Sequence, residues 1–263
     1  MNFTELLKIA INASIEGGHS IMDVYGSNFQ VEKKDDESPL TLADKNCNKV
    51  IETYLLKTNI PVLSEEGSEI PFSERRNWEY FWLVDPLDGT KEFIKRNGEF
   101  TVNIAMIHNG EPVIGVIYVP VKEELYFGMN GLGSYKVFRN SVIDSLDELL
   151  LEANKLPVNY KRDNYVIVGS RSHMSVETEE FFQDKREQHG DVEVMSIGSS
   201  LKLCMVAEGK ADAYPRYAPT MEWDTGAGHA IAKFAGFHVK RYNSSEDVVY
   251  NKENLLNPWF LVS

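Results

Sequence analysis

Apolar runs broken by turn signals predict most of the secondary structure in the first half of the chain. Apolar residues at helical spacing predict helices over residues 4–25 and from residue 41 onward, with Thr4 and Thr41 as N-caps. Two Asn-Gly pairs, at residues 109 and 130, predict tight turns between strands. The predicted strands cover residues 60–63, 81–84, 100–108, 112–119, 124–129 and 135–138, with a short helix over 91–96. We expect the last four strands to form an antiparallel meander.

The second half alternates strands with helices, a pattern typical of an α/β layer. Residues 144–156 predict a helical connection between the halves. The predicted strands then cover residues 165–168, 192–196 and 211–214, and the helices cover 175–188, 200–208 and 224–235. We therefore predict an N-terminal α+β subdomain over residues 1–143. A C-terminal α/β subdomain over residues 144–263 would complete the functional site.

The composition of the chain limits the kinds of partner that the protein is expected to bind. The chain has 263 residues, of which 43% are hydrophobic, and its formal net charge is -13. This negative charge argues against binding to a nucleic-acid polymer, because such binding needs clustered Lys and Arg. The two cysteines, Cys47 and Cys204, have no metal-type spacing, so a reduced cytoplasmic protein is the simplest interpretation. The sequence shows neither a signal peptide nor a transmembrane segment, and it sets no oligomeric state.

Acidic residues follow two of the predicted strands. The strand over 81–84 leads into Asp85 and Asp88, then Gly89 and Thr90, and the strand over 60–63 leads to Glu65. Strands that end in acids can bring these carboxylates together at one edge of a sheet. The alternative is that they only satisfy backbone donors in turns, which is common for an Asp-Gly pair.

A further acid, Asp224, begins the last long predicted helix, where an N-cap is the simpler role. Asp44 has a similar alternative, because it follows Thr41 by three residues in a capping-box-like arrangement. If Asp224 instead joins the strand-end acids, the set is all oxygen and favours Mg²⁺ over Zn²⁺. Two divalent ions would suit an in-line phosphoryl displacement, with metal-activated water as the simplest nucleophile. The proton of that water could pass to a pair formed by Thr90 and Asp44, while the Gly89 and Thr90 amides hold the phosphate.

Two other classes remain open at this point. A haloacid-dehalogenase-type phosphatase also ends a strand in Asp-Gly-Thr, but it spaces its two acids two residues apart, whereas Asp85 and Asp88 are three apart. The other is a non-catalytic module that binds cations or nucleotides without turnover.

Four motifs in order resemble the inositol monophosphatase superfamily of lithium-sensitive, Mg²⁺-dependent phosphatases. They lie at residues 40–44 (LTLAD), 64–66 (SEE), 82–90 (WLVDPLDGT) and 223–228 (WDTGAG). The resemblance implies a layered α-β-α-β-α sandwich and two or three Mg²⁺ ions per site. It implies that Asp44 and Thr90 activate water. The implied metal ligands are Glu65, Asp85, the Leu87 carbonyl, Asp88 and Asp224.

Within the superfamily, other motifs are similar to the bacterial 3′(2′),5′-bisphosphate nucleotidases. They are KEF at 91–93, SRSH at 170–173, SIGSSLK at 196–202, AEG at 207–209 and YPR at 214–216. This resemblance implies hydrolysis of adenosine 3′,5′-bisphosphate to AMP and phosphate, with 3′-phosphoadenylyl sulfate as a related substrate. The implied substrate contacts are Glu65, Leu87, Asp88, Gly89, Thr90, Ser170, His173, Gly198, Lys202 and Asp224. An inositol or sugar phosphatase with the same metals is the alternative.

Overall fold

The architecture is a five-layer stack of helices and sheets. The computed structural model describes residues 1–27, 38–169 and 175–263. Its helices are α1 (Phe3–Tyr25), α2 (Pro39–Leu55), α3 (Phe72–Arg75), α4 (Thr90–Lys95), α5 (Leu146–Glu152), α6 (Val176–His189), α7 (Leu201–Glu208) and α8 (Glu222–Phe234). Its strands are β1 (Val62–Ser64), β2 (Tyr80–Asp88), β3 (Thr101–His108), β4 (Glu111–Val119), β5 (Glu124–Met129), β6 (Gly133–Phe138), β7 (Asn154–Leu156), β8 (Tyr165–Val168), β9 (Val192–Met195), β10 (Tyr214–Arg216), β11 (Val239–Arg241) and β12 (Phe260–Val262).

A seven-stranded sheet in the order β1-β2-β3-β4-β5-β6-β7 forms the centre of the fold. β1 and β2 are parallel, and the remaining neighbours are antiparallel, which confirms the predicted meander. Alternate residues of β2 enter different cores: Trp82 and Val84 pack under α1 and α2, while Phe81 and Leu83 face the other side. Because both faces are buried, the strand appears in the sequence as a continuous apolar run.

The second face of this sheet carries α7 and α8, and beyond them lie two small sheets and α6. The backbone of α8 packs closely on β4: a Cβ at Gly115 would lie 2.3 Å from the Ala227 carbonyl oxygen. The small sheets pair β8 with β9 and arrange three strands in the order β10-β12-β11. The predicted α-β-α-β-α sandwich is therefore confirmed. In the three described ranges, no helix has the length and apolar character needed to cross a membrane.

Several predicted helix starts are wrong, and the corrections bear on function. Ser38, not Thr41, caps α2, so Asp44 lies inside the helix and has no capping role. Asn2, not Thr4, caps α1. The third residue of α8 is Asp224, because that helix begins at Glu222.

The short helix predicted over residues 91–96 begins one residue earlier. Thr90 is the first residue of α4, and Gly89 is the N-cap, with a φ of 96°. A positive φ is easily adopted by glycine because it has no Cβ. The sharp turn after Asp88 therefore depends on the Gly of the Asp-Gly-Thr motif.

The predicted division after residue 143 remains a prediction. β7 extends the central sheet beyond that position, and α8 packs on the same sheet. The sequence analysis missed α3, β7, β11 and β12, and it placed β10 three residues too early. These elements are three or four residues long, which is too short to display a period.

Candidate active site

Three carboxylates meet at the end of the parallel strand pair. Ser64 pairs with Val84 in register, and the Glu65 amide donates to the Val84 carbonyl at 3.1 Å. Glu65 and Asp85 therefore lie next to each other where β1 ends. Asp224 approaches from the first turn of α8. One oxygen from each of these three carboxylates lies within 4.8 Å of the others. The structure thus brings together Glu65, Asp85 and Asp224, three of the predicted metal ligands.

Asp88 lies beside this cluster because β2 bulges between Asp85 and Asp88. Within the bulge, the Leu87 amide donates to Asp85 Oδ1 at 3.1 Å, which fixes the orientation of that carboxylate. Asp88 Oδ2 accepts a hydrogen bond from the Ser200 amide, at the entrance to α7. The bulge therefore directs the two acids of one strand to neighbouring positions, Asp85 inward and Asp88 toward the second half of the chain. The Leu87 carbonyl as a ligand stays a prediction.

Burial and mutual repulsion raise the pKa of every acid in this group. The pKa of Asp224 rises to about 7, chiefly through burial and then through the charge of Asp88. Burial also raises the pKa of Asp85 well above its usual range, with repulsion from Asp88 and Glu65 adding to the effect. The pKa values of Glu65 and Asp88 shift in the same direction, again mainly through loss of hydration, although Glu65 lies at the exposed edge of the group. The site therefore favours positive charge, either as protons or as cations.

Asp44 is a further acid whose charge acts on Asp85, and it is buried on α2. Burial, with the charges of Glu66 and Glu65, raises its pKa to about 8. Its Oδ1 atom has no hydrogen-bond partner among the described residues. Thr90 is exposed, and no hydrogen bond joins it to Asp44. The predicted pairing of Asp44 with Thr90 stays a prediction.

The residues present fit divalent cations of the Mg²⁺ type. A carboxylate that is buried without a partner loses its hydration, and a cation is the strongest available compensation. The cluster supplies only oxygen ligands, and the unpartnered Asp44 Oδ1 adds another buried acceptor near it. Hard oxygen ligands of this kind are the ones that Mg²⁺ prefers.

Asp88 and Asp224 also line a cleft of about 240 Å³, together with two basic residues that form its cationic wall. Lys202 and Arg216 both line it. Lys202 Nζ donates to the Ser199 carbonyl at 2.9 Å, and burial lowers its pKa while the charge of Asp88 partly offsets this effect. Two cations facing a group of acids create a site for a ligand with more than one negative charge.

Arg216 is a functional candidate that the sequence analysis missed. Its Nη2 donates to the Pro219 carbonyl at 3.0 Å, and its Nε is buried without a partner in the described part of the chain. The signal was present, because Arg216 ends the YPR motif. The motif was used only for the resemblance to the nucleotidases, and Arg216 was given no role of its own.

Ser200 is a second residue that the sequence analysis missed. The Ser200 backbone N–H donates a hydrogen bond to Asp88. The Ser200 hydroxyl donates to Asn103 Oδ1 at 2.8 Å and lies 2.9 Å from the Thr101 hydroxyl. These side chains are buried. Ser200 therefore ties the entrance of α7 to β3 and holds Asp88 in place. Nothing in the sequence distinguishes it from neighbouring serines.

Three predicted nucleotide contacts remain: Gly198, Ser170 and His173. Gly198 lies in the loop before α7, where its amide donates to Glu99 Oε2 at 2.8 Å. Ser170 and His173 lie outside the residues that the structure describes. Substrate contact by each of these residues stays a prediction.

Comparisons with known proteins agree with this geometry. The model of the inositol monophosphatase family matches residues 2–259. The 3′(2′),5′-bisphosphate nucleotidase CysQ of Salmonella typhimurium is 44% identical over 263 residues, which cover 98% of each chain. The crystal structure of CysQ from Bacteroides thetaiotaomicron, a bacterial member of the inositol monophosphatase family, is 50% identical, with a TM-score of 0.95 over 100% of this chain and 98% of that one.

A more distant structure shares the fold. Inositol monophosphatase-II of Staphylococcus aureus is 22% identical, and it covers 98% of this chain and 90% of its own with a TM-score of 0.73. The family match spans nearly the whole chain, and both the strand-end acids and the layered fold agree with it. The chain therefore belongs to the inositol monophosphatase family.

Proposed function

We propose that this protein is a Mg²⁺-dependent 3′(2′),5′-bisphosphate nucleotidase, which hydrolyses the 3′-phosphate of adenosine 3′,5′-bisphosphate to give AMP and phosphate. The related 3′-phosphoadenylyl sulfate would be a second substrate. The observation that carries the proposal is the cleft in which Lys202 and Arg216 face the carboxylates. The full-length similarity to nucleotidases of this type supports the same substrate.

The acids and the cations that line the cleft suit the two phosphates of such a substrate. The phosphate to be released would lie against the group of acids, and the second phosphate would bind Lys202 and Arg216. A cation with few protein partners is well suited to pair with phosphate, because Arg and Lys form strong charge-assisted hydrogen bonds. A substrate with one phosphate would leave Lys202 and Arg216 without a phosphate to bind.

The chain's own residues perform the remaining tasks. We propose that Glu65, Asp85, Asp88, Asp224 and the Leu87 carbonyl hold two or three Mg²⁺ ions. When bound, these ions neutralise phosphate charge and lower the pKa of water.

Proton transfer falls to Asp44 in this proposal. Burial raises the pKa of Asp44 and so makes its ionised carboxylate a stronger base, to which Thr90 would relay the proton of the attacking water. Ser200 keeps Asp88 in position through its amide. Ser170, His173 and Gly198 would contact the adenosine part of the substrate.

A second candidate function uses the same carboxylates on an inositol or sugar monophosphate. The Staphylococcus aureus inositol monophosphatase has the same fold, so the fold alone does not distinguish the two functions. The two functions differ at the cationic wall, because only the bisphosphate needs it.

The test compares phosphate release from adenosine 3′,5′-bisphosphate and from inositol 1-phosphate in Mg²⁺. We expect a strong preference for the nucleotide and loss of both activities in Asp88→Asn. Lys202→Ala should lower kcat/KM for the nucleotide at least about tenfold, because it removes a charge-assisted hydrogen bond. Lys122→Ala, which removes an exposed lysine outside the cleft, is the matched control. A preference for inositol 1-phosphate would contradict the proposal.

A further inference from the structure

Glu92 is an acid that the proposed chemistry does not use. It lies in the first turn of α4, is half-buried, and lines the same cleft as Asp88 and Lys202. Two glycines leave room for its side chain. A Cβ at Gly198 would lie 2.4 Å from Glu92 Cγ, and a Cβ at Gly89 would lie 3.3 Å from Glu92 Oε2. The carboxylate therefore lies between two loops at the wall of the cleft.

The Glu92 carboxylate has no hydrogen bond and no salt bridge to any residue in the described ranges. Its neighbour Glu99 differs, because it accepts a hydrogen bond from the Gly198 amide. The charge of Lys202 in the same cleft acts on Glu92 without a direct bond, so the carboxylate oxygens remain available as acceptors. An ionised carboxylate can only accept hydrogen bonds, so the ligand group that complements it must be a donor.

The phosphates of the substrate are excluded as that group, since they are acceptors and carry the same charge. The donors on adenosine 3′,5′-bisphosphate are the ribose hydroxyl and the adenine amino group. The hydroxyl lies on the carbon next to the one that carries the phosphate to be released. Glu92 lies against Gly89, which directly follows Asp88, so it is close to the acids that would hold this phosphate. The amino group lies at the far end of the nucleoside.

We propose that Glu92 is a specificity-determining residue, whose carboxylate accepts a hydrogen bond from the ribose hydroxyl adjacent to the phosphate that is released. The inference rests on the proposed function and names a contact that selects its substrate class. A site that pairs a buried acceptor with a substrate hydroxyl rejects the analogue without that hydroxyl, because the acceptor is then left unpaired. The enzyme should therefore prefer ribonucleotides to 2′-deoxyribonucleotides.

The test measures kcat/KM for adenosine 3′,5′-bisphosphate and for its 2′-deoxy analogue in the wild type, Glu92→Gln and Glu92→Ala. The wild type should prefer the ribonucleotide about tenfold to a hundredfold, the range expected for one hydrogen bond to a charged group. Glu92→Ala should bring the ratio near one, and Glu92→Gln should restore part of it because an amide oxygen still accepts. Urea-unfolding midpoints close to that of the wild type show that the variants fold.

The matched control is Glu148→Ala, which removes an exposed acid from the first turn of α5, outside the cleft. It should leave the ratio unchanged. If Glu92→Ala slows both substrates equally, the inference is overturned. It is also overturned if the variant changes only the preference for adenosine over inosine 3′,5′-bisphosphate, which would assign Glu92 to the base. If no nucleotide is hydrolysed by the wild type, the proposed function fails and this inference fails with it.

Discussion

Asp44→Asn should make the metal-free protein more stable and inactive, the combination expected when an acid serves chemistry rather than structure. Asp44 is buried, has no capping role, and leaves Oδ1 without a partner among the described residues. Burial and the charges of Glu66 and Glu65 raise its pKa from 3.8 to about 8. The folded protein therefore keeps a proton at neutral pH that the unfolded chain releases.

The size of the effect follows from this difference in pKa. At pH 7, keeping that proton costs the folded state about 4 kcal/mol, and Asn removes this cost. The Asn amide leaves a buried N–H group to satisfy, which costs about 1–3 kcal/mol. We therefore expect the free energy of unfolding to rise by about 2 kcal/mol at pH 7. The gain should shrink as the pH falls toward the unfolded-state value of 3.8, where both states are protonated.

Urea unfolding in EDTA at pH 5 and pH 7, together with phosphate release in Mg²⁺, measures both halves of this prediction. Asp23→Asn is the matched control, since Asp23 is an exposed acid within a helix and its change should shift stability by less than about 0.5 kcal/mol. Destabilisation of Asp44→Asn by more than about 1 kcal/mol at pH 7 would show that the carboxylate is structural. Full activity in Mg²⁺ would refute its catalytic role.

Two further predictions concern the site as a whole. The metal-free wild type should lose stability as the pH rises from about 4 to 8, because the raised pKa values of Asp44 and Asp224 favour the protonated folded state at low pH. Mg²⁺ should therefore raise Tm more at pH 8 than at pH 6 in a thermal-shift assay. An equal rise at both pH values would show that ionisation of these acids does not govern the stability of the site. Ser200→Ala should lower the free energy of unfolding by about 1–3 kcal/mol, because it leaves buried Asn103 Oδ1 and Thr101 without their partner. Ser199→Ala is the control in urea unfolding, and equal losses in both variants would argue against the Ser200 network.

The parts of the site that the sequence predicted are those encoded locally. Glu65 directly follows β1 and Asp85 lies at the matching position of β2, so parallel pairing of the two strands was enough to bring them together. Asp224 joined them because its helix is long enough to be recognised, even though the predicted start was wrong. The strand-end pattern therefore carries most of the metal site.

The rest depends on contacts between distant segments. The Ser200 bond to Asp88 joins residues that lie 112 positions apart, so no local pattern contains it. Arg216 belongs to β10, whose three residues are paired by β12, far along the chain. The capping role expected for Asp44 failed because Ser38 and Pro39 begin the helix earlier than Thr41. The sequence thus predicted the acids and, through the resemblance, Lys202, whereas tertiary packing brings Arg216 into the same cleft.

The most direct measurement of the central claim is a ³¹P NMR time course of adenosine 3′,5′-bisphosphate with the protein in Mg²⁺. The account predicts that the 3′-phosphate signal is replaced by inorganic phosphate while the 5′-phosphate signal persists as AMP, and that EDTA stops the conversion. Loss of the 5′-phosphate, or turnover that EDTA leaves unchanged, would contradict the account.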